Sequence, residues 1–553
     1  MSKSTNLYYY CALACITCAG IPKGKHSEGT ISSVHALRST GYDEGGFSAS
    51  TGLASFKQDF NLVKANWKDN PAGLANRQAN ISSFGVRTTP TNARVLLTYL
   101  VCQVLGAAFG SLLALLLNDR IGRLRTYQLA ICVWATGILM QIFSSGILGF
   151  MLFARIWGGL GAGGLTVTAP LFLSEIAPAK KRGLVVSLYM VVLLSFLSLG
   201  FFINYAANKH MASTPTQYRL VQAIPLIPVG IAFMCSFFLT DTPRYLASQD
   251  RFEEAVAALA RLRGSNSSDP AVAEEFAQIE VQRRAKAADL ANVSTIQIFR
   301  EIATIPSYRR RFALVMAMQT VAQWSGGNGI TYYIPQIFEY AGVTGQSTSL
   351  LSSGLYGIVK LVFTMVFAWG LIDIIGRRRC VLTGLGLQLA AHIYMACYMS
   401  QDASGNKSAS DAAIASIFIY AVGWSVGLCT VQYLYGTEVF PTRIRSVSYA
   451  TSMALHWFFQ FAVVRVTPNM FVSLNVWGAY IFWALICAIG FAYLAVAAPE
   501  TKGIPMERMG ELFEGPWYAC WKARLSSEAP TASTEANLTA EEKAAAMAYV
   551  EKV

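Results

Sequence analysis

Charged residues are scarce in this chain. Asp, Glu, Lys and Arg make up only 14% of its 553 residues, against roughly 25% in a typical soluble domain, and 54% of the residues are hydrophobic. These proportions exclude an ordinary soluble enzyme and a disordered chain. They predict an all-α membrane protein, because a spanning helix needs about 20 apolar residues and this length allows about ten to twelve spans.

Several signatures of catalysis and metal binding are also missing. The chain has neither a P-loop nor an HExxH sequence, and its 11 cysteines lie mostly in apolar stretches rather than in a secreted disulfide framework. We therefore expect no enzyme activity, no metal and no cofactor. The net charge of +13 would suggest a nucleic-acid partner in a soluble protein. In a membrane protein it indicates orientation instead, and no nucleic-acid partner is expected.

Apolar stretches of spanning length recur along the chain. Eleven predicted spans lie at about 96–117, 127–147, 149–174, 184–206, 220–240, 312–341, 350–372, 381–399, 411–435, 447–468 and 473–498. A shorter apolar stretch at 7–22 is interpreted as an opening half-span, with a signal peptide as the alternative. The sequence therefore predicts twelve transmembrane helices and, as a partner, the lipid bilayer.

Basic residues are concentrated in alternate loops. The Lys- and Arg-rich loops lie at 119–125, 177–183, 247–311, 373–380 and 441–446. The positive-inside rule places these loops, and with twelve spans both termini, in the cytoplasm. Asn80 and Asn406 then lie in glycosylation sequons on the outer side.

We predict four regions from this pattern. An N-terminal six-helix bundle covers 1–246, and a C-terminal six-helix bundle covers 312–515. Between them, 247–311 combines apolar residues at helical spacing with many charges, which indicates cytoplasmic amphipathic helices. The polar stretch 516–553 is predicted to be a cytoplasmic tail.

The two bundles carry an internal repeat. Three motifs recur in the same order at nearly constant separation: DRIGRLR (119–125) as DIIGRRR (373–379), Glu175 with Arg182 as Glu438 with Arg445, and Asp241 as Glu500. This agreement indicates that the halves arose by duplication. Duplicated halves with a site at their interface are the architecture of secondary transporters.

Together with further motifs, these repeats show a family resemblance over about 41–515. Further motifs are GYDEGG (41–46), ARIWGGLGAGG (154–164), TDTPRYL (240–246), QWSGGNGITYYIPQIF (323–338) and PETKG (499–503). Together they resemble the sugar porter branch of the major facilitator superfamily, with a fungal character. The resemblance implies the major facilitator fold, with two pseudo-symmetric six-helix bundles and a cytoplasmic helical linker. It also implies a monomeric plasma-membrane carrier of a small solute.

The resemblance assigns a cytoplasmic gate to the repeated motifs. Its residues are Asp119, Arg120, Gly122, Arg123, Glu175, Arg182, Asp373, Gly376, Arg377, Glu438 and Arg445. In the family these charges lock the halves together when the carrier faces outward. Exposed ion pairs contribute only ~0–1 kcal/mol each, so such a network can break and re-form. The alternative is that the charges only fix orientation.

A second implied feature is proton coupling. Asp43 and Arg155 match the family's coupling pair, in which protonation of the carboxylate releases the arginine. Facilitative relatives commonly lack the acid, so Asp43 favours symport with a proton as the coupling ion. A structural salt bridge is the alternative.

The resemblance also locates a substrate cavity, with departures. Expected substrate-binding residues are Gln323, Asn328, Tyr332, Tyr333, Lys360, Tyr433 and Trp457. Four positions depart from the family pattern: Met190, Ala322 and Lys360 replace amides, and Tyr433 replaces a Trp. A lysine in mid-span costs roughly 2.5–3.5 kcal/mol on insertion scales, so Lys360 suggests an anionic substrate of the quinate or galacturonate type. A neutral hexose or pentose carrier, a facilitator and, more remotely, a sugar sensor remain alternatives, as does a buried partner for Lys360.

Two stretches interrupt the family pattern, at about 25–40 and 87–103. The first is polar and separates 7–22 from the motif carrying Asp43. A polar stretch of this kind cannot cross a bilayer. Our hypothesis is that both stretches are translated introns or unusual insertions. Continuous transcript reads that encode both stretches would contradict the intron version.

Overall fold

The computed structural model describes residues 46, 48–50, 53–60, 103–145, 147–177, 182–267, 269–290, 295–401, 406–502, 506–513 and 515–522. Asp43, Asn80, the stretch 7–22 and both predicted insertions, apart from Gln103, lie outside these ranges. Every regular element within them is helical. The prediction of an all-α membrane protein is confirmed.

The first half contains eight described helices, and four more precede the second half. They are α1 Ser48–Ser50, α2 Ala54–Asp59, α3 Gln103–Ile121, α4 Arg123–Ile142, α5 Leu148–Ile176, α6 Arg182–His210, α7 Pro215–Ala223, α8 Leu226–Ser236, α9 Pro243–Ser248, α10 Phe252–Arg263 and α11 Pro270–Leu290. The helix α12 Thr295–Thr304 then leads into the second half.

The second half has the same helical character. Its helices are α13 Pro306–Trp324, α14 Gly327–Tyr332, α15 Ile334–Tyr340, α16 Gln346–Val366, α17 Ile372–Ile375, α18 Arg377–Ser400, α19 Lys407–Gly427, α20 Val431–Glu438, α21 Thr442–Ser473 and α22 Asn475–Ala497. A π-helical turn at Phe367–Leu371 joins α16 to α17, and 3-10 turns follow at Met506–Phe513 and Trp517–Lys522.

Many of these helices can cross a bilayer. In the described part of the chain, eight are long and apolar enough: Gln103–Ile121, Gly149–Leu173, Tyr189–His210, Pro215–Ser236, Gln346–Val366, Arg377–Ser400, Lys407–Gly436 and Asn475–Ala497. Three further predicted spans, at 127–147, 312–341 and 447–468, overlap α4, α13 to α15 and α21. The helices α4, α13 and α21 carry arginines near their beginnings, so these helices are less uniformly apolar than the eight candidate spans.

Glycines bring neighbouring helices into backbone contact in both halves. A Cβ atom at Gly159 in α5 would lie 2.8 Å from the carbonyl carbon of Gln103 in α3. Similarly, a Cβ atom at Gly384 in α18 would lie 2.8 Å from the amide nitrogen of Gly427 in α19. Helices in lipid associate through such close packing because lipid is as apolar as the side chains.

Buried side chains of the two halves cluster together at one end of the described helices. We call the end that carries Gly122 and Gly376 the motif end. Away from it, one buried cluster contains side chains of both halves, including Phe201 and Ile330. Toward the motif end the buried members form separate clusters for each half, with Tyr433 reaching across. Among the described residues, the buried cluster shared by both halves therefore lies opposite the motif end.

The linker helices contact both halves at the motif end. Arg263 in α10 donates from Nη1 to the carbonyl of Ile176 at the end of α5, at 3.1 Å. In α12, the Glu301 carboxylate pairs with the Arg443 guanidinium of α21 at 2.7 Å. The hydrogen bond from Arg443 holds the pKa of Glu301 below its usual value. The linker thus forms polar contacts with one helix of each bundle.

Candidate substrate site and ion-pair motifs

The predicted seventh span is broken beside the candidate site. Helix α13 ends at Trp324, and α14 begins at Gly327 after Gly326, whose φ of 94° is a left-handed conformation that favours glycine. A Cβ atom at Gly327 would lie 2.9 Å from Nε1 of Trp424 in α19. The sequence WSGGNG therefore breaks the helix where close approach is also needed. Discontinuous helices of this kind form substrate sites in transporters.

Polar side chains from four helices meet next to this break. Nδ2 of Asn328 donates to Oε1 of Gln323 at 3.1 Å, and Nε2 of Gln323 lies 3.1 Å from Nε2 of His456. The hydroxyl of Tyr433 in α20 lies 3.4 Å from the same imidazole nitrogen, and Oε1 of Gln319 lies 2.8 Å from its Nδ1. The structure thus brings together three predicted residues, Gln323, Asn328 and Tyr433, around a buried histidine.

The sequence analysis missed His456 and Gln319. Gln319 precedes Gln323 by four residues, so both side chains lie on one face of α13. His456 directly precedes Trp457 and is one of only 5 histidines in the chain. An ionisable residue within a predicted span is a signal for a functional site, and this signal identifies His456.

The predicted aromatic residues are buried around this cluster. Trp457 packs with Val104 and Ala108 of α3, at the contact between the halves. Tyr332 belongs to the buried cluster that both halves share. The hydroxyl of Tyr333 donates to the carbonyl of Val464 in α21 at 3.2 Å. These side chains therefore line the region where the two bundles meet.

Lys360 of α16 is buried among aromatic side chains. Its side chain is 2% exposed, and Nζ donates to the hydroxyl of Thr331 at 3.2 Å. The same nitrogen lies 3.9 Å from the ring centre of Trp424 and 5.4 Å from that of Tyr356. Cation–π contacts contribute about 2 kcal/mol or more when desolvated, which offsets much of the cost of a mid-span lysine. The ammonium group lies beside α14, the helix that carries Asn328.

Arg155 is fully buried in α5. Its Nη1 donates to Oε1 of Gln141 in α4 at 3.4 Å. Asp43, its predicted coupling partner, lies outside the described residues. The pairing of these two residues therefore stays a prediction.

The first repeated motif is a single-residue break between two helices. Gly122, with φ 97°, separates α3 from α4, and the Asp241 carboxylate accepts hydrogen bonds from the backbone amides of Arg123 and Leu124 at 3.2 and 3.3 Å. These amides open a helix and lack intrahelical partners, and they attract negative charge. Burial raises the pKa of the Asp241 carboxyl. The Arg123 guanidinium also pairs with Glu175 of α5 at 3.2 Å.

The second motif reproduces this arrangement. Gly376 also has φ 97°, and the Glu500 carboxylate accepts from the backbone amides of Arg377 and Arg378 at 2.9 and 3.2 Å. The Arg377 guanidinium lies 3.5 Å from the Glu438 carboxylate. Asp241 and Glu500 therefore occupy equivalent positions, which the sequence repeat indicated although neither was placed in the predicted gate.

The remaining gate residues lie at the same end. Asp119 pairs with Arg123 at 3.3 Å, the carbonyl of Arg120 accepts from the Tyr245 hydroxyl, and Nε of Arg445 donates to the carbonyl of Phe440 at 2.9 Å. Arg182 begins α6 and Asp373 lies in α17, but their side chains are outside the described part of the structure. The motif ion pairs described above join helices of one half, so the lock between halves stays a prediction.

A duplicated bundle of apolar helices, with a polar cluster at a broken helix of its second half, is typical of a membrane transport protein. A family model described as "Sugar (and other) transporter" matches residues 31–513, and the chain belongs to this family. The quinate permease of Neurospora africana is 30% identical over 490 residues, and that of Neurospora terricola is 29% identical over 491 residues. In both comparisons the match covers 86% of each chain.

Solved structures show the same fold. The proton:xylose symporter XylE bound to 6-bromo-6-deoxy-D-glucose matches with a TM-score of 0.70 and 18% identity, over 93% of this chain and 100% of that one. A partially occluded inward-open conformation of the xylose transporter XylE from E. coli matches with a TM-score of 0.68 and 17% identity, over 89% and 98%. The predicted major facilitator fold is confirmed.

Proposed function

We propose that this protein imports a polyhydroxylated carboxylate of the quinate or galacturonate type by proton symport. The proposed class of substrate rests on one observation: Lys360, a buried cation, lies beside the broken seventh span. A positive charge within a spanning helix attracts an anionic substrate. The aromatic rings of Trp424 and Tyr356 hold the ammonium group in place without neutralising its charge.

The polar cluster supplies the complementary part of the site. Gln319, Gln323, Asn328 and His456 present amide and imidazole groups that suit the hydroxyl groups of a cyclitol or sugar ring. A substrate with a carboxylate at one side and hydroxyl groups at the other matches both features. The names of the Neurospora relatives, quinate permeases, support this substrate class.

Proton coupling is proposed from the buried arginine. Arg155 is fully desolvated in α5, and a buried guanidinium needs a compensating acid, for which Asp43 is the candidate. Protonation of that carboxylate would release the arginine and permit the conformational change. XylE, which shares the fold, is described as a proton:xylose symporter.

Alternating access is supported by the unequal closure of the bundles. The halves share a buried cluster opposite the motif end and have separate clusters toward it. Rocking of the halves about the site would reverse this arrangement and bring the motif ion pairs of the two halves together. The orientation proposed from the basic loops places the motif end in the cytoplasm and the carrier in the plasma membrane.

A neutral hexose or pentose is the second candidate. The same amide cluster would bind its hydroxyl groups, and Lys360 would then act within the protein, through Thr331 and the two rings. The two candidates differ in whether removal of the positive charge changes the substrate preference.

Uptake in a host that lacks its own carriers separates these functions. Labelled quinate, galacturonate and glucose would be supplied at pH 5 and pH 7. We expect saturable uptake of an acid, faster at pH 5 and abolished by a protonophore. Uptake of glucose alone would favour the second candidate, and acid uptake that is unaffected by the proton gradient would contradict symport.

The Lys360→Asn variant tests the cation directly. Asparagine restores the amide that the family resemblance implies at this position. We expect loss of acid uptake with retention of surface expression, and full acid uptake by this variant would contradict the role of the charge. Lys209→Asn, at the exposed end of α6, is the matched control for loss of one lysine.

A further inference from the structure

A buried histidine contacts the break in the seventh span. Helix α13 ends at Trp324, and its last carbonyl groups have no intrahelical partners. Nε2 of His392 in α18 lies 3.0 Å from the carbonyl oxygen of Ser325, immediately before Gly326. The hydroxyl of Tyr420 in α19 also donates to this oxygen, at 3.5 Å. Two neighbouring helices therefore satisfy the carbonyl at the break.

The geometry fixes the state of this hydrogen bond. A carbonyl oxygen can only accept, so Nε2 of His392 carries the hydrogen. The imidazole is 1% exposed and lies among aromatic rings, 5.0 Å from that of Tyr420 and 5.8 Å from that of Trp483. A polar ring in such surroundings is stabilised by its hydrogen bond, because leaving a buried polar group unpaired is costly.

The break determines the geometry of the polar cluster. Gln323 lies in the last turn of α13, Asn328 lies in α14, and their direct contact spans the break. On the other side of the break, His392, Tyr420 and Tyr480 line a small cavity together with Ile330 of α14 and Ile337 of α15. The residues that hydrogen-bond to Ser325 therefore also contact the surroundings of the segment that follows the break.

We propose that His392 is a positioning residue that anchors the break by holding the carbonyl of Ser325 between α13 and α14. The anchor lies behind the polar cluster and reaches the substrate only through the backbone. This role rests on the proposed transport function, because its consequence is the alignment of Asn328 with Gln323 for the substrate. It extends the candidate site to α18.

The test compares two substitutions at one position. His392→Phe keeps an aromatic ring but removes the donor, whereas His392→Gln keeps a donor. Hydrogen–deuterium exchange of the purified protein, followed in peptides covering 321–335, reports on the break without any transport. We expect exchange in this segment to accelerate about tenfold in His392→Phe and to return toward the wild-type rate in His392→Gln. His210→Phe, at the exposed end of α6, is the control and should exchange like the wild type.

Transport kinetics supply the second readout. We expect His392→Phe to raise KM for the transported substrate about tenfold with a smaller effect on the maximal rate, and His392→Gln to recover most of the affinity. Unchanged exchange and KM in His392→Phe would overturn the anchor, as would a His392→Gln protein as impaired as His392→Phe.

If the wild type transports no acid or sugar, the proposed function fails, while the exchange comparison still decides whether His392 anchors the break. If His392→Phe does not fold, Tyr420→Phe, which removes the weaker bond, should give a smaller acceleration, and no acceleration would contradict the proposal.

Discussion

Replacing Gly376 with alanine tests the account of the repeated motifs. Gly376 has φ 97° and ψ 153°, a conformation that is essentially restricted to glycine. A Cβ atom there would lie 2.7 Å from the carboxylate carbon of Glu500, so the carboxylate would have to move. That carboxylate accepts hydrogen bonds from the backbone amides of Arg377 and Arg378, which open α18. The substitution therefore has two effects: it strains the backbone at residue 376, and it displaces the Glu500 carboxylate that caps α18.

The expected loss follows from these two effects. A residue held in a sparsely populated backbone region costs of order 1–3 kcal/mol. Loss of a capping acceptor costs about 0.5–2 kcal/mol. We expect Gly376→Ala to lose about 2–4 kcal/mol of stability in total. Thermal unfolding of the detergent-solubilised protein, followed by intrinsic fluorescence, measures the change as a lower Tm.

A second glycine in the same helix provides the control. Gly386 lies within α18, and a Cβ atom there would have no neighbour within 4 Å. Gly386→Ala should stabilise the protein by roughly 0.5–1 kcal/mol, because alanine is the better helix former. If Gly376→Ala unfolds at the same temperature as Gly386→Ala, the motif is not held as described and the reasoning is refuted.

Two further predictions concern the linker and the polar cluster. Glu301 in the linker has a lowered pKa because Arg443 donates a hydrogen bond to its carboxylate. The ion pair therefore stabilises the folded protein above the unfolded-state pKa of about 4.3, and this stabilisation is lost as the pH falls through the folded-state pKa. Glu301→Gln should therefore lower Tm more at pH 7 than near pH 3, and an equal deficit at both pH values would contradict this. In the cluster, His456→Phe leaves the amides of Gln319 and Gln323 without their imidazole partner, and KM for the transported substrate should rise about tenfold in uptake assays. An unchanged KM would place His456 outside the site.

Sequence reasoning located the backbone features well. Apolar runs and arginine-rich motifs predicted helices and the loops at 119–125 and 373–380, because lipid requires every span to satisfy its own backbone, but they did not predict the break in the seventh span. The duplicated motifs paired Asp241 with Glu500 before any contact was known. Helix ends were less accurate: α21 begins at Thr442, inside a stretch interpreted as a loop, since arginines are compatible with the first turn of a helix at a membrane surface.

The sequence could not predict which side chains from different helices contact one another. His456 meets Gln323 across two helices that are distant in the chain, and no spacing rule links them. The surroundings of Lys360 were equally hidden. The sequence suggested an anionic substrate or a buried partner for Lys360, and neither interpretation predicted the contacts with Thr331 and the ring of Trp424. Such contacts depend on how the bundles pack, which hydropathy alone does not specify.

The central claim is that a proton gradient drives an anionic substrate through this protein. Purified protein in liposomes, given a more acidic external buffer and labelled quinate, measures this directly. We predict accumulation of quinate above its external concentration, collapse of that accumulation on addition of a protonophore, and no accumulation by the Lys360→Asn protein. Quinate that only equilibrates across the membrane, at a rate independent of the gradient and of Lys360, would contradict the account.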